Sequence, residues 1–474
     1  MPRRPYTGAM SNEAPGLPEA AASLAPARLS RGTIARYATG SLGTGGFATL
    51  PGLVLTYYLT DSLGVAALAA GLVIVLAKVW DVVIDPVIGA LTDRDLARHG
   101  TRRRLMLVGA CSLPVLFALT FAVPPAVGPA VAAIWVFLAF TLTATAFSLF
   151  QVPYIALPAE LTPDYDERTR LLTWRVVVLT LAILLFGAGG PALRRTSDDP
   201  VTGYLVMGVV AGVVIALGML VATTVARRAR ATARTDSPEA TPSIREHFSE
   251  GIRSLRRSAP FRALLSTFVL QALATGLMLA GAQYVATWVL HSEAAVELLF
   301  VALIAPALFA APAWGVVARR IGKERAFAIA SVVFGLAALS ILGVLWAPGD
   351  WIYAPVAVAG IAYAGMQSLP MAMLPDVISH DERTNGPGRA GAFSGVWTAG
   401  ETVGFALGAT TLSLILAATG YVSSTAGETV VQPDAAITGI VVSFSLAPAV
   451  LIAISLLALR RYPLRRGDIQ SQQA

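Results

Sequence analysis

The chain has 474 residues, 55% of them hydrophobic and only 13% charged, with a mean hydropathy of +0.68. So few charges cannot clothe a soluble core of this size, whereas a bilayer asks for no such shell, so composition excludes an ordinary water-soluble domain. A formal charge of +7 leaves nucleic acid open until the basic residues are placed, and the lone Cys111 excludes a disulfide framework within one chain.

Residues 1–30 carry Arg3 and Arg4 but no apolar core ahead of Arg28, and Pro15, Gly16, Pro18 and Pro26 interrupt them. They read as a disordered cytoplasmic tail rather than a cleaved leader. Apolar runs long enough to cross about 30 Å of hydrocarbon then fall near 34–59, 67–91, 105–124, 130–157, 171–193 and 201–226. A second set falls near 263–290, 295–318, 325–347, 352–379, 390–418 and 436–459. The expectation is an all-α membrane protein with 12 transmembrane helices: a six-helix bundle over 31–226, a cytoplasmic linker at 227–262, a second six-helix bundle over 263–460 and a cytoplasmic tail at 461–474.

Basic residues alternate with the spans. Arg94, Arg98 and Arg102 to Arg104, then Arg168 and Arg170, then Arg227 and Arg228 fall on one side. Arg319, Arg320, Lys323 and Arg325, then Arg383 and Arg389, then Arg460, Arg461, Arg465 and Arg466 join them. The opposite loops hold only Arg194 and Arg195. This asymmetry places both termini and the central linker in the cytoplasm, here of a bacterial inner membrane. A nucleic-acid surface would not follow the period of the spans, so that partner is excluded. Within the linker, Ser243 and Glu246 form a capping-box pattern ahead of Ile244, Phe248, Ile252 and Leu255. An amphipathic helix on the inner leaflet and a solvated tether both fit that stretch.

The halves echo one another. Pro86-x-x-Gly89-x4-Arg94 leaves span 2 and Pro312-x-x-Gly315-x4-Arg320 leaves span 8. Pro153-x4-Pro158 closes span 4 and Pro370-x4-Pro375 closes span 10, each followed by the same four letters, Asp166-Glu167-Arg168-Thr169 and Asp381-Glu382-Arg383-Thr384. An even number of spans per half relates the halves by an axis along the membrane normal, with a binding site near the midplane where they meet. Lys78, Asp93, Arg94, Glu167, Arg168, Asp381, Glu382 and Arg383 are candidates for structural or gating charges at these positions.

Few ionisable residues sit well inside spans: Lys78, Asp81, Asp85, Arg175 and Glu401. Each costs at least ~2.5 kcal/mol at mid-bilayer and should face a cavity or a partner. Asp81 and Asp85 lie four apart on one face of span 2, with Lys78 one turn before. Two carboxylates that close repel unless a cation lies between them or one is protonated, the behaviour ion-coupled transport requires. Oxygen ligands suit a hard cation such as Na+. A static network is the other reading, with Lys78 neutralising one carboxylate and Arg175 the other. Pro86 adds a freed carbonyl beside Asp85.

At these residues the sequence resembles a known group. Lys78-x-x-Asp81-x3-Asp85-Pro86-x-x-Gly89-x3-Asp93-Arg94 resembles the span 2 signature of the glycoside–pentoside–hexuronide:cation symporters, the melibiose permease family of the major facilitator superfamily. Pro153-Tyr154 with Glu167-Arg168 resembles its loop 4–5, and Asp376, Asp381 and Phe393-Ser394-Gly395-x-Trp397-Thr398 resemble its spans 10 and 11. The eukaryotic sodium-dependent lysolipid symporters share much of this pattern. The resemblance implies a major facilitator fold of two pseudo-symmetric six-helix bundles. It also implies cation-coupled symport by alternating access, with Asp81 and Asp85 as the cation-binding carboxylates.

Three departures narrow what carries over. The family's span 1 Lys-Asp pair is absent near Thr44 and Gly45, its span 4 aspartate appears as Gln151, and Glu401 and Thr402 stand near its span 11 lysine. Galactoside specificity therefore does not transfer, and a proton competes with Na+ as the coupling ion. Gln151, Tyr154, Arg175, Trp397 and Glu401 are the candidate substrate contacts, with helix packing as the alternative for Tyr154 and Trp397. The glycines at 43, 45 and 46 follow no strand, so they read as close packing or a bend rather than a phosphate loop.

Two solute classes stay open: a sugar, glycoside or related small solute, and a lysolipid or other amphiphile. A membrane-embedded enzyme lacks support, because His99, His247, His291 and His380 sit in loops or at span ends. No P-loop marks a primary pump. No cofactor beyond the coupling ion is expected. The expected partners are the solute and membrane lipid, and the expected state is a monomer.

Overall fold

The computed structural model describes residues 28–124, 126–162, 165–226, 257–385, 390–426, 428 and 430–464. The described chain is helical throughout, and its one β feature is an isolated antiparallel bridge between Leu63 and Thr425. Eleven helices are long and apolar enough to cross a membrane. In chain order these are span 2 (Ala67–His99), span 3 (Arg103–Thr120), span 4 (Pro129–Leu161), span 5 (Tyr165–Arg194) and span 6 (Pro200–Thr223). Span 7 (Ala259–Tyr284), span 8 (Ala295–Ile321), span 9 (Lys323–Ser340), span 10 (Tyr353–Asn385) and span 11 (Ala390–Ala418) follow. Span 12 joins Asp434–Phe444 to Leu446–Leu459.

The twelfth crossing is span 1, which is bent. It starts as Arg31–Ala38, turns at Thr39 and Gly40, and resumes as Ser41–Tyr57. Ser30 caps its first turn by accepting from the Thr33 amide at 3.2 Å, so the end of the expected tail is held in place. The bend brings a glycine-rich stretch against span 5. A Cβ on Gly45 would lie 2.7 Å from the Ala182 side chain and 3.1 Å from the Ile183 amide, so only glycine fits this approach. The expected close packing of span 1 is what these glycines provide.

Span 7 starts at Ala259, with Ser258 as its cap, four residues before the apolar run. The stretch from Ser243 to Leu255, open to an amphipathic helix or a tether, and most of the 1–30 tail lie outside the described residues.

Exposed Leu68, Leu72, Leu76, Val79, Val83 and Val87 recur every three or four residues down span 2, giving it an apolar outer face. Such a stripe suits lipid. Lys78, Asp81 and Asp85 fall on the opposite face at 100° per residue. The halves touch where span 1 meets span 7, span 2 meets span 11 and span 5 meets span 8. Close approach is again made by small residues, since a Cβ on Gly71 would lie 2.7 Å from Ser413 across the 2–11 seam.

The internal repeat extends further than the loop motifs. Spans 1 and 7 both end in a single π-helical turn, Tyr58–Ser62 and Val285–Val289. Each turn follows a tyrosine with a threonine three residues on, Tyr57 and Thr60 in one half, Tyr284 and Thr287 in the other. Single π turns inside helices are frequent at functional sites. Both lie at the end of the bundle away from the arginine-rich loops.

Candidate ion and substrate path

Span 2 sets three charges on its inward face. Lys78 Nζ donates to Asp81 Oδ2 at 2.8 Å and sits 5.7 Å and 5.8 Å above the rings of Phe47 and Phe140. The ammonium is therefore held by one carboxylate and two aromatic faces. Asp81 Oδ1 is buried without a partner. One turn further, Asp85 is exposed although it points away from the apolar outer face, and Ser148 of span 4 lies near it. No described basic side chain makes an ion pair with Asp85. The span continues unbroken through Pro86, which has no amide to offer the Val82 carbonyl.

Arg175, the other partner the static reading requires, points elsewhere. Its guanidinium lies 5.6 Å from the centre of the Tyr154 ring, and its Nε has no partner. Tyr154 is fully buried: its hydroxyl donates to the Tyr37 carbonyl at 2.9 Å and meets Ser41 Oγ at 3.2 Å. Its ring stacks on Tyr37 at 4.6 Å and on Phe150 at 5.1 Å. In this conformation Tyr154 joins span 4 to span 1 and faces no open surface. Gln151, one turn before, accepts from the Thr44 hydroxyl at 2.8 Å, so the two residues that replace charges of the resembled pattern bond to each other.

In the second half, Trp397 is 2% exposed and stacks on Phe268 at 4.2 Å, with its Nε1 unpartnered. Like Tyr154, it packs between helices here. Glu401, one turn on and part-exposed, acts electrostatically on Tyr363 of span 10, whose hydroxyl accepts from Gln367 at 2.7 Å.

The loop charges on the arginine-rich end tie helix ends within each half. Arg102 bridges Asp93 at 2.8 Å and Glu160 at 2.6 Å, and Lys323 bridges Asp376 at 2.6 Å in the matching place of the second half. Glu167 accepts from the Leu29 amide at 3.0 Å and from Arg170 at 3.1 Å. Arg168 donates to the Thr162 carbonyl at 3.2 Å. Arg94 and Arg383 are exposed, Asp381 is 3% exposed, and the Glu382 side chain lies outside the described residues.

The opposite end holds polar contacts the sequence did not reveal. Tyr421, after span 11, donates to Asp61 Oδ1, and Trp288 Nε1 donates to Tyr421 at 2.8 Å. Thr60 donates to Asp61 Oδ2 and meets the Tyr284 hydroxyl at 2.6 Å. Arg194 joins Glu293 at 3.0 Å and Tyr204 at 3.0 Å, and Arg195 joins Glu297. Backbone bonds from Gly64 to Ser424 and from Ser424 to Thr60, at 3.0 Å and 2.9 Å, flank the Leu63–Thr425 bridge. Every one of these groups except Arg194–Tyr204 and Thr60–Asp61 reaches from one half to the other or supports a contact that does. Two arginines on a side otherwise bare of cations, facing Glu293 and Glu297, were the available signal for this seam.

The solved structures similar to this chain include a D-xylose–proton symporter, with a TM-score of 0.63 at 14% identity over 91% of this chain and 98% of that one. The nucleoside transporter NupG gives 0.63 at 10% identity over 92% and 100%. At such identities the likeness establishes the fold. Among curated relatives, an uncharacterised symporter of Synechocystis is 24% identical over 95% of this chain and 98% of its own length. The putative glycoside/cation symporter YagG of Escherichia coli is 26% identical over 88% of each. The mouse sodium-dependent lysophosphatidylcholine symporter 1 is 24% identical over 89% and 84%. The model for MFS/sugar transport proteins matches residues 36–466. With that match over nearly all of an all-helical chain, the chain belongs to the MFS/sugar transport protein family and is an integral membrane transporter, not an enzyme.

Proposed function

We propose that the chain is a cation-coupled symporter of a sugar, glycoside or related small polar solute, with Asp81 and Asp85 carrying the coupling ion. The carrying observation is Asp85, a carboxylate with no basic partner among the described residues, on the inward face of a membrane span one turn from an ion-paired Asp81. Lys78 cancels the charge of Asp81, so the trio retains one net negative charge and takes one proton or monovalent ion at a time. An uncompensated carboxylate costs at least ~2.5 kcal/mol in hydrocarbon, so ion binding lowers the cost of closing the cavity around it. Ser148 and the freed Val82 carbonyl supply neutral oxygens to a bound ion. The names of the bacterial relatives support cation coupling. With the arginine-rich loops in the cytoplasm, the joined seam closes the outer end, and the path from Asp85 leads inward.

The mouse relative's name favours a second cargo, a lysophospholipid. Purified protein in proteoliposomes separates the two. Labelled pentoses, hexoses, hexuronides and their glycosides are offered beside lysophosphatidylcholine under imposed Na+ or H+ gradients. The wild type should accumulate one of the sugars with one of the gradients. Asp85→Asn should still bind it but should only equilibrate it. Full gradient-driven accumulation by Asp85→Asn would refute the ion assignment, and uptake of lysophosphatidylcholine alone would replace the cargo.

A further inference from the structure

The second half contains a small, mostly apolar recess with a buried amide side chain on its wall, which none of the charges above explains. It lies between spans 7 and 10 and has room of about 10 Å³, enough for one water-sized group. Gln271 is its buried polar wall, 2% exposed, while Thr275, Tyr363 and Gln367 are part-exposed at its mouth. Gln271 Nε2 is fully engaged, donating to Ser331 at 2.8 Å and Ser455 at 3.1 Å, but its Oε1 has no partner. An amide oxygen buried in that way costs free energy until a donor reaches it. Phe268 forms the apolar side and is braced by the stacked Trp397.

The lining selects for one chemistry. Gln271 Oε1 requires a donor. The Thr275 hydroxyl already donates to the Gln271 and Ala272 carbonyls at 3.0 Å and 3.1 Å, which leaves its oxygen able to accept. Tyr363 accepts from Gln367, which leaves its own proton to give. A hydroxyl meets the two unsatisfied ends together, giving its one proton to Gln271 Oε1 and accepting from Tyr363, while Thr275, already bonded to its own helix, needs no partner. An acyl chain would leave Gln271 unpaired, and an anion would meet Glu401, which acts on Tyr363 from one side. We propose that this recess is a hydroxyl-binding subsite that anchors a neutral, polyhydroxylated solute to the second half. The inference rests on the sugar reading and adds a contact that the charged residues of span 2 do not supply.

The test pairs solute and protein changes. Once the panel above has identified a transported sugar, its single-deoxy analogues are compared in binding to wild type, Gln271→Met and Tyr363→Phe, with thermal stability followed in parallel. One analogue should bind the wild type roughly tenfold more weakly than the parent sugar, and the same analogue should show no further penalty in a variant that has lost its partner. Gln271→Met also removes the bonds to Ser331 and Ser455, so if it fails to fold, Tyr363→Phe alone decides. Equal penalties for every analogue in wild type and variant would mean that the recess holds only water, overturning the proposal while sugar transport stands. A wild type that takes no sugar would remove both readings together.

Discussion

At the arginine-poor end of the bundle, polar side chains reach from one half to the other: Tyr421 to Asp61, Tyr284 to Thr60, Arg194 to Glu293 and Arg195 to Glu297. At the arginine-rich end, Arg102 to Asp93 and Glu160, and Lys323 to Asp376, stay inside their own half. The first set must part whenever the halves rock and the second never needs to. The chemistry differs accordingly. Contacts across the seam are mostly single hydrogen bonds or half-exposed pairs, worth about 1 kcal/mol each. Arg102, by contrast, is 11% exposed and is fixed by two carboxylates at once. On the proposed alternating-access reading, a joint that opens each cycle is built from weak parts and a permanent brace from strong ones.

The largest test of that contrast is covalent. Leu63 and Thr425 form a non-hydrogen-bonded antiparallel pair, since the bonds run from Gly64 to Ser424 and from Ala426 to Ser62. Such pairs place Cα atoms about 4.5 Å apart, within the range a disulfide spans. Leu63→Cys with Thr425→Cys, in a Cys111→Ser background, should lose uptake at least tenfold on oxidation and regain it with dithiothreitol. Equal uptake by the oxidised and reduced forms would mean that this end does not open during transport.

Much of this architecture is legible in the sequence, because a bilayer imposes a length on each apolar run and a sign on each loop. Span count, the two-halved layout and the Asp81–Asp85 pair all follow from those two constraints. The bend of span 1 was less visible, since Thr39 and Gly40 sit inside a run that hydropathy alone reads as continuous. The seam was not legible. Asp61 lies at the edge of an apolar run and meets Tyr421, 360 residues away, so no local spacing announces it. Ser148 was missed for another reason: a serine in an apolar span usually bonds back to its own helix, and only tertiary packing brings this one near Asp85. The repeated Asp-Glu-Arg-Thr loops teach the converse, because Arg168 donates to the Thr162 carbonyl and is part-buried whereas its counterpart Arg383 is exposed.

The next effect in size contrasts Arg194 with Arg102. A cysteine at Gln283, fully buried just before Tyr284, reports opening of the seam to a membrane-impermeant maleimide in the Cys111→Ser background. Arg194 is 5% exposed, holds Glu293 across the seam and lies over the rings of Tyr57 and Tyr204 at 5.7 Å and 5.2 Å. Arg194→Gln should raise labelling on the order of tenfold, a change of about 1.4 kcal/mol once the half-exposed Glu293 is allowed for. Arg102→Gln should lower thermal stability by about 1–2 kcal/mol and leave labelling unchanged, because its partners move with it. Faster labelling in the Arg102 variant would mean that its brace also senses the seam.

Tyr421→Phe removes the one hydrogen bond this hydroxyl makes across the seam, to Asp61, together with the one it accepts from Trp288 inside the second half, and keeps the ring that packs edge-on against Tyr284 at 5.5 Å. Labelling at position 283 should rise about fivefold, the value of one hydrogen bond near 1 kcal/mol. Asp61→Asn keeps an acceptor for only one of its two donors and should fall between wild type and Tyr421→Phe. A larger effect from Asp61→Asn than from Tyr421→Phe would place the strength of this arm in the carboxylate's charge rather than in the hydrogen bond it accepts.

Arg195 is the smallest case and the most discriminating. It differs from Arg194 by one position and by burial: its side chain is 35% exposed and that of Glu297 21%, against 6% for Arg194. Water and salt therefore screen the Arg195–Glu297 pair, which is worth about 0.5 kcal/mol, and Arg195→Gln should speed labelling only about twofold. Moderate salt should have the same effect on the wild type and none on the variant, and Arg195→Glu combined with Glu297→Arg should restore the wild-type rate. If Arg195→Gln instead matched Arg194→Gln, burial would not set the strength of each contact across the seam. Long-range charge between the two arginines and the facing glutamates would then hold the end shut, and the difference between breakable joint and permanent brace would lie in charge placement alone.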